Sequence, residues 1–121
     1  GMGAGVYTYD AASHSLELRF EGDILADLAA ACLGQDFLEA VGVNLLLAAE
    51  VSRTAHRYGE RAERYVNMEI GHIGQNVHLQ AESLGLGTVA VGAFRDAEVK
   101  KVFRLETDLA PLYIMPVGIP G

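Results

Sequence analysis

The sequence of 121 residues contains no tryptophan, a single cysteine and only three prolines. One cysteine excludes an intrachain disulfide, and Cys32, in a segment rich in alanine and leucine, is expected to be a buried structural thiol. Positive charge is also scarce, because nine lysines and arginines stand against sixteen acidic residues and leave a net charge of −7. This balance argues against nucleic acid or an anionic membrane as the main partner.

Long apolar segments and catalytic triads are missing too. No run reaches the roughly 20 apolar residues that a bilayer requires, and no N-terminal segment has the order of a signal peptide. No serine, histidine or cysteine has the spacing of a hydrolase triad or a C-x-x-C redox pair. Half of the residues are hydrophobic and 21% are charged. We therefore expect one globular, cytoplasmic domain over residues 1–121, with Gly1 as a tag remnant.

The patterns that are present mix strands and helices without strict alternation. The stretches VYTYD and LELRF predict a β-hairpin. Helices are predicted over residues 24–33, 60–84 and 96–103, with Asp23 and Asp96 as caps and Gly34 ending the first. Buried strands are predicted over residues 42–50, 88–91 and 112–117, with one helical turn over 52–58. This order predicts an α+β sheet with helices packed against it and a long central helix.

The long helix has an apolar stripe interrupted by glycines. The stripe recurs at three- and four-residue steps and consists of Val66, Ile70, Ile73, Val77, Ala81 and Leu84. Gly71 and Gly74 lie within the same helix, where each costs about 1 kcal/mol relative to alanine. Such glycines indicate a close backbone approach. We expect a second copy of the chain to pack there in a homodimer, while close packing of helix on sheet within one chain is the alternative.

Two familiar motifs are present in the wrong context. Gly85, Gly87 and Ala90 match a dinucleotide fingerprint, but here the glycines end a helix and open a strand, whereas the fingerprint must open a helix. Gly85 is expected to be a left-handed helix cap. Glu69 and His72 have the spacing of a di-iron ligand pair without the further ligands that such a site needs. We therefore expect no metal, and a hydrogen bond between these two side chains.

One cluster of basic and aromatic residues stands out in this acidic chain. It consists of Arg53, Arg57, Tyr58, Arg61, Arg64 and Tyr65. The common interpretation is that Glu60, Glu63 and Glu69 pair with these arginines on a solvated face. The alternative is that the guanidinium groups receive a phosphate or carboxylate.

Several ordered pieces give the chain a family resemblance. They are GVYTYD (5–10), the GD-to-LGQ stretch (22–35), RTAHRYGERAERY (53–65), EIGHIGQN (69–76), LGLGTVAVGAF (84–94) and PLYIMPVGIP (111–120). Together they resemble the nitroreductase family of flavin enzymes, most closely its SagB-type dehydrogenase branch. Family members usually begin with an arginine- and serine-rich segment that holds the flavin phosphate. No counterpart is visible, so we expect a partial domain that corresponds to the later part of the family domain.

The resemblance implies FMN as cofactor, hydride transfer through the flavin N5 and a homodimer with flavin sites at its interface. By position, the cofactor-binding residues would be Ala90, Val91, Gly92 and Ala93, with the amides of Gly92 and Ala93 near the flavin and the other two packing on the ring. From the residues alone, a simple turn before the last helix explains this segment equally well. Tyr58 and Arg61, in the recurring YGER piece, are the substrate-side candidates for a small molecule or peptide. A non-enzymatic remnant, or a subunit of a split protein that binds no flavin alone, is the alternative.

Overall fold

Two antiparallel sheets and four α-helices make up residues 2–121, the part of the chain that the computed structural model describes. In chain order the elements are β1 (Gly5–Asp10), β2 (Ser15–Glu21), α1 (Leu25–Ala31), β3 (Val43–Ala49), α2 (Val51–Tyr58), α3 (Ala62–Ser83), β4 (Gly87–Thr88), α4 (Asp96–Phe103) and β5 (Ala110–Gly118). Short 3₁₀ turns at Asp36–Glu39 and Gly59–Arg61 precede β3 and α3. The arrangement confirms the predicted α+β class with a long central helix.

Strand β5 is the centre of the larger sheet, whose order is β3–β5–β4. Leu46 of β3 lies opposite Ile114 of β5, and both contribute to the main core. The other members of that core come from α1, the turn after it, the segment after β4 and α4, and they are Leu28, Ala31, Cys32, Leu38, Val91 and Val99. Since successive residues of a strand point to opposite faces, Tyr113 and Met115 face the other way. Helices α1 and α4 therefore cover one face of the sheet and α3 the other.

Strand β3 differs from its prediction. The apolar run over residues 42–50 was expected to be buried on both faces, but Leu45, Leu47 and their neighbours are only half-buried. The physical reason is position: β3 is an edge strand, so among the described residues it has β5 on one side and no strand on the other. The predicted strand over residues 88–91 is also interrupted. It consists of β4 and a separate two-residue bridge between Val91 and Ile114.

Helix boundaries shift where glycine interrupts the chain. Gly59 has a positive φ of 58° and, with the 3₁₀ turn, separates α2 from α3, so the segment expected to form one turn is a separate two-turn helix. At the other end of α3, Gly85 has φ of 73° and the Leu86 amide donates to the Ala81 carbonyl at 2.8 Å. This is the predicted left-handed helix cap. It also confirms that the glycines close a helix, which excludes the dinucleotide fingerprint.

The inner face of α3 includes Gly74 but not the whole predicted stripe. Val66, Ile70 and Ala81 are buried as expected, whereas Ile73 is 41% exposed and Leu84 63% exposed. A Cβ built on Gly74 would lie 3.5 Å from the Tyr113 ring and 3.7 Å from the Met115 sulfur. Gly74 therefore serves close packing of helix on sheet within one chain, which corrects its expected place between two copies. A Cβ on Gly71 meets no atom within 4 Å, and Gly71 lies on the exposed face.

We predict opposite effects of leucine at the two helix glycines. Gly74→Leu forces bulk against the Tyr113 ring and should lower the free energy of unfolding by about 1–3 kcal/mol. Gly71→Leu adds a good helix former on an open face and should stabilise the isolated chain by about 1 kcal/mol. Urea unfolding followed by circular dichroism, at a protein concentration low enough to keep the chain monomeric, measures both. Equal stability of the two variants would contradict the assignment of Gly74 to the inner face.

Candidate functional site

The chain leaves the larger sheet at Val91 and exposes two small residues. The Val91 amide donates to the Ile114 carbonyl at 2.8 Å, and the Ile114 amide donates back at 3.0 Å. The Val91 side chain is 5% exposed and belongs to the core. It is therefore not available to pack on a flavin ring, which was the role that the resemblance implied for it. Ala90 is half-buried, and Gly92 and Ala93 are exposed. We call Val91, Gly92 and Ala93 the strand end.

The strand end presents unpaired backbone donors. Among residues 2–121, the N–H groups of Gly92 and Ala93 donate to no carbonyl and to no side chain. Exposed amides of small residues allow a flat or anionic group to approach the backbone closely. The strand end therefore has the donors and the access that a planar heteroaromatic ligand with acceptor atoms requires.

Hydrogen bonds attach the strand end, and the Arg95 amide that follows it, to the end of α1 and to Gln35 just after it. The Gln35 side-chain amide donates to the Cys32 carbonyl at 2.7 Å and to the Ala93 carbonyl at 2.9 Å. The Arg95 backbone amide donates to the Ala31 carbonyl at 2.9 Å. Gln35 was not among the site residues predicted from the sequence. The available signal was the position of this polar residue directly after the helix-ending Gly34.

Tyr113 is a second residue that the sequence analysis missed. One edge of its ring lies 3.5 Å from a Cβ built on Gly74, and the opposite edge lies 3.7 Å from a Cβ built on Gly92. The ring therefore fills the space between α3 and the strand end. A methyl group at either position would be in ordinary contact with the ring, whereas a larger side chain would press on it. A tyrosine in a strand otherwise made of aliphatic residues was the only signal.

The arginine cluster lies at the junction of α2 and α3. The Tyr58 and Tyr65 rings pack edge to face with centroids 5.1 Å apart, and the Arg57 guanidinium lies 5.5 Å from the Tyr58 centroid. Of the cluster's arginines, only Arg53 forms an ion pair within the described residues, with Glu50 at 2.6 Å. The expected pairing of the cluster with Glu60, Glu63 and Glu69 is therefore wrong.

Tyr58 and Arg61 remain exposed and accessible to a ligand. Tyr58 ends α2 and Arg61 ends the 3₁₀ turn that follows. Beside them, an open depression of about 640 Å³ is lined by Glu60, Glu63, Arg64, Asn67 and Met68. A second, of about 510 Å³, lies between the hairpin, α1 and α4. Neither depression includes the strand end, so the substrate-side role of Tyr58 and Arg61 stays a prediction.

The remaining candidate groups do not form a reactive site within the described residues. Glu69 and His72 are both exposed on α3, and no hydrogen bond joins them. Across residues 2–121, no three histidine, cysteine, aspartate or glutamate side chains come together to hold a metal ion. Cys32 is fully buried, and this burial raises the pKa of its thiol. The thiol is therefore protonated near neutral pH and inert. None of the helices in this part of the chain has the length and hydrophobicity to span a membrane.

Comparison with known proteins decides the family. The model of the nitroreductase family matches residues 6–119. The chain belongs to the nitroreductase family. A protein of Methanocaldococcus jannaschii that is named as a nitroreductase is 44% identical over 118 residues. The match covers 98% of this nitroreductase-family chain and 59% of the archaeal protein. The chain thus spans less than two thirds of the length of that curated relative.

Solved structures agree with this assignment. A protein of Anabaena variabilis, also named as a nitroreductase, superposes with a TM-score of 0.93 at 30% identity, over 100% of this chain and 25% of its own. A chain of the E. coli microcin synthetase McbBCD complex, solved with truncated pro-MccB17 bound, superposes with a TM-score of 0.87 at 25% identity. That match covers 100% of this chain and 46% of the other. The nitroreductase fold is thereby confirmed, while the SagB-type branch stays a prediction.

We predict that the ring of Tyr113, and not its hydroxyl, supports the strand end of this nitroreductase-family chain. Tyr113→Ala removes the ring between two glycines and should cost about 3 kcal/mol, the lower end of the range for aromatic-to-alanine changes. Tyr113→Phe keeps the ring and should stay within about 0.5 kcal/mol of the parent, because no hydrogen bond of the hydroxyl is present among residues 2–121. Urea unfolding compares the two. A Phe variant as unstable as the Ala variant would assign the role to the hydroxyl.

Proposed function

We propose that this chain supplies the ring-binding part of an FMN-dependent oxidoreductase of the nitroreductase kind. The observation that carries the proposal is the strand end, where two exposed small residues present unpaired backbone amides on a well-supported segment. Membership of the nitroreductase family supports FMN as the ligand. Because the chain covers only part of the length of these relatives, the activity of the whole protein is a part of this proposal.

The residues present fit a flavin ring. An isoalloxazine is flat and has acceptor atoms along one edge, and proteins orient it with backbone N–H groups. Gly92 and Ala93 provide such donors, and neither has a side chain larger than a methyl group. Ala90, half-buried beside them, adds apolar surface next to the same segment. When bound, FMN supplies the two-electron chemistry at its N5 atom.

Each residue of the strand end has a separate task in this proposal. The Gly92 and Ala93 amides bind and orient the ring edge. Val91 contributes through its backbone pairing with Ile114 and its buried side chain, which fix where the segment leaves the sheet. The protein therefore contributes position and local dipoles, and the cofactor contributes the redox chemistry. No nucleophilic side chain is needed.

The substrate side is proposed at the α2–α3 junction. Tyr58 offers an aromatic surface and Arg61 a guanidinium without an ion-pair partner among the described residues. Together they suit a small molecule or a peptide with an aromatic or anionic group. The similarity to a chain of a complex that holds a peptide supports the SagB-type branch. We further propose a cytoplasmic location.

A homodimer is proposed through the outer face of α3. Met68, His72, Gln75 and Leu79 follow steps of four, three and four residues and so share one face, with Gly71 beside them. Met68 is 55% exposed and Leu79 is 61% exposed. Two large apolar side chains on one exposed helix face, next to a glycine that is not needed within the chain, suit a second helix. The face of Gly71, not that of Gly74, is the proposed contact.

A subunit that binds no flavin alone is the second candidate. It is favoured by the hairpin, one face of which carries Tyr7, Tyr9, Leu16 and Leu18. Tyr9 and Leu16 are more than half exposed. Because an isolated two-stranded sheet with an uncovered apolar face is marginal, another polypeptide would be expected to cover it. Titration of the purified chain with FMN, followed by absorbance and by thermal shift, separates the two candidates.

We predict that Ala93→Pro weakens FMN binding about tenfold. Proline removes the N–H at position 93, and one such hydrogen bond is worth about 1.4 kcal/mol, a factor of ten. That N–H has no partner within the described residues, so its loss breaks no hydrogen bond within this part of the chain. Fluorescence titration with FMN gives the dissociation constant.

Ala97→Pro is the matched control for this substitution. Ala97 is exposed in the first turn of α4, where proline is tolerated, so FMN binding should match that of the parent. Unchanged FMN affinity in Ala93→Pro would remove the amide at 93 from the proposed site.

We predict that Leu79→Glu dissociates the homodimer without unfolding the chain. The side chain is exposed in the single chain, so a carboxylate there stays hydrated, whereas in a helix–helix contact it would be buried without a partner. Light scattering should give the mass of one chain for Leu79→Glu and of two for the parent. Ile119→Glu, at an exposed position beyond β5, is the control and should leave the mass unchanged. A parent with the mass of one chain would contradict the homodimer.

A further inference from the structure

Gln35 makes two hydrogen bonds that join different parts of the chain. Its amide nitrogen donates to the Cys32 carbonyl at the end of α1 and to the Ala93 carbonyl, 58 residues further along the chain. Both protons of the amide are thereby used. Cys32 is close in sequence, so this bond holds the side chain in place. The bond to Ala93 then holds the strand end.

The end of α1 is shaped to place this side chain. Leu33 and Gly34 both have positive φ, of 62° and 72°. Two consecutive left-handed residues reverse the chain direction sharply, and leucine adopts this conformation less readily than glycine. The Gly34 amide donates back to the Ala29 carbonyl at 2.9 Å, which closes the turn. The two left-handed residues and this hydrogen bond form a common helix-ending turn, which leads directly to Gln35.

The hydrogen bond to Ala93 determines the orientation of a peptide group. A peptide plane is rigid, so a fixed Ala93 carbonyl also fixes the plane that it shares with the Phe94 amide. On the other side, Val91 is paired with Ile114, and the Arg95 amide is bonded to Ala31. Between these anchors, Gly92 has no Cβ to restrict it. The Val91 carbonyl accepts from the Ile114 amide, which already fixes the plane of the Gly92 N–H. Without the Gln35 bond, the next plane, which joins Gly92 to Ala93, could rotate and present the Gly92 carbonyl oxygen where the Ala93 N–H now stands.

We propose that Gln35 is a positioning residue that orients the Ala93 amide toward the flavin and thereby raises the reduction potential of bound FMN. The inference rests on the proposed function. Reduced flavin is richer in electrons along the edge that the amides would contact, so amide donors stabilise the reduced form more than the oxidised form. A carbonyl oxygen turned toward that edge has the opposite effect. Loss of Gln35 should therefore make the potential more negative.

The test replaces Gln35 with residues of similar length that cannot donate. Gln35→Glu places acceptors against two carbonyl oxygens, and Gln35→Met removes the donors without adding charge. For both, the midpoint potential of bound FMN is measured by spectroelectrochemistry in the full chain. We expect a shift of about −30 mV or more, which is a tenfold loss in the ratio of affinities for reduced and oxidised flavin. In the protein without flavin, the Arg95 amide should exchange with deuterium at least severalfold faster.

Gln80→Glu and Gln80→Met are the matched controls. Gln80 is exposed on α3, so the same changes there should alter neither the potential nor the Arg95 exchange rate. If the parent binds FMN and both Gln35 variants keep its potential, the positioning role is overturned while the proposed function stands. If the parent binds no FMN, the proposed function is overturned and this role with it. A negative shift only in the Gln35 variants supports the inference, because a general loss of stability would not move the potential in one direction.

Discussion

The close approach of α3 to β5 at Gly74 is the contact on which the candidate site depends. It leaves room for the Tyr113 ring, on which a side chain larger than a methyl group at position 74 would press. The ring extends to Gly92 and packs against it on the face of the sheet that α3 covers. A helix glycine, a strand tyrosine and a loop glycine are thus one packed unit, although they are 18 to 39 residues apart in sequence. Because these residues are packed together, the position of α3 affects the position of the exposed amides of the strand end.

The opposite side of the strand end is held by polar contacts. Gln35 and the Arg95 amide attach it to α1, whose own core packing against α4 is fully buried at Leu28 and Val99. The strand end is therefore held by apolar contact with the Tyr113 ring on one side and by hydrogen bonds on the other. Support on both sides suits a cofactor site, where small residues give access but leave the backbone free to move unless neighbours restrain it. The exposed faces of α3 and of the hairpin show, in contrast, where this chain has surface left to bury.

Sequence signals within a few residues predicted the helices and strands. The boundaries and the burial of these elements depended on the elements that pack beside them. The hairpin, the cap at Gly85 and the helix from Asp96 needed only residues a few positions apart, and each is observed. The burial of β3 could not be predicted, because an apolar run looks the same in an edge strand as in a central one. The stripe on α3 failed at Ile73 for a similar reason: the helix turns Gly74 inward, and no periodicity of apolar residues marks a glycine as a core position.

By itself, the sequence determined the α+β class, the long helix, the inert cysteine and, through its ordered motifs, the nitroreductase family. It also located the strand end, since the sequence itself shows a glycine and an alanine directly after a predicted short strand. Only the tertiary structure decided which of the two helix glycines faces inward and that Gln35 and Tyr113 hold the strand end. It also decided that, within residues 2–121, the arginine cluster is not paired with the acidic residues expected for it. The reason is physical: these properties are distances between side chains far apart in the chain, and such distances are set by how the elements pack against one another.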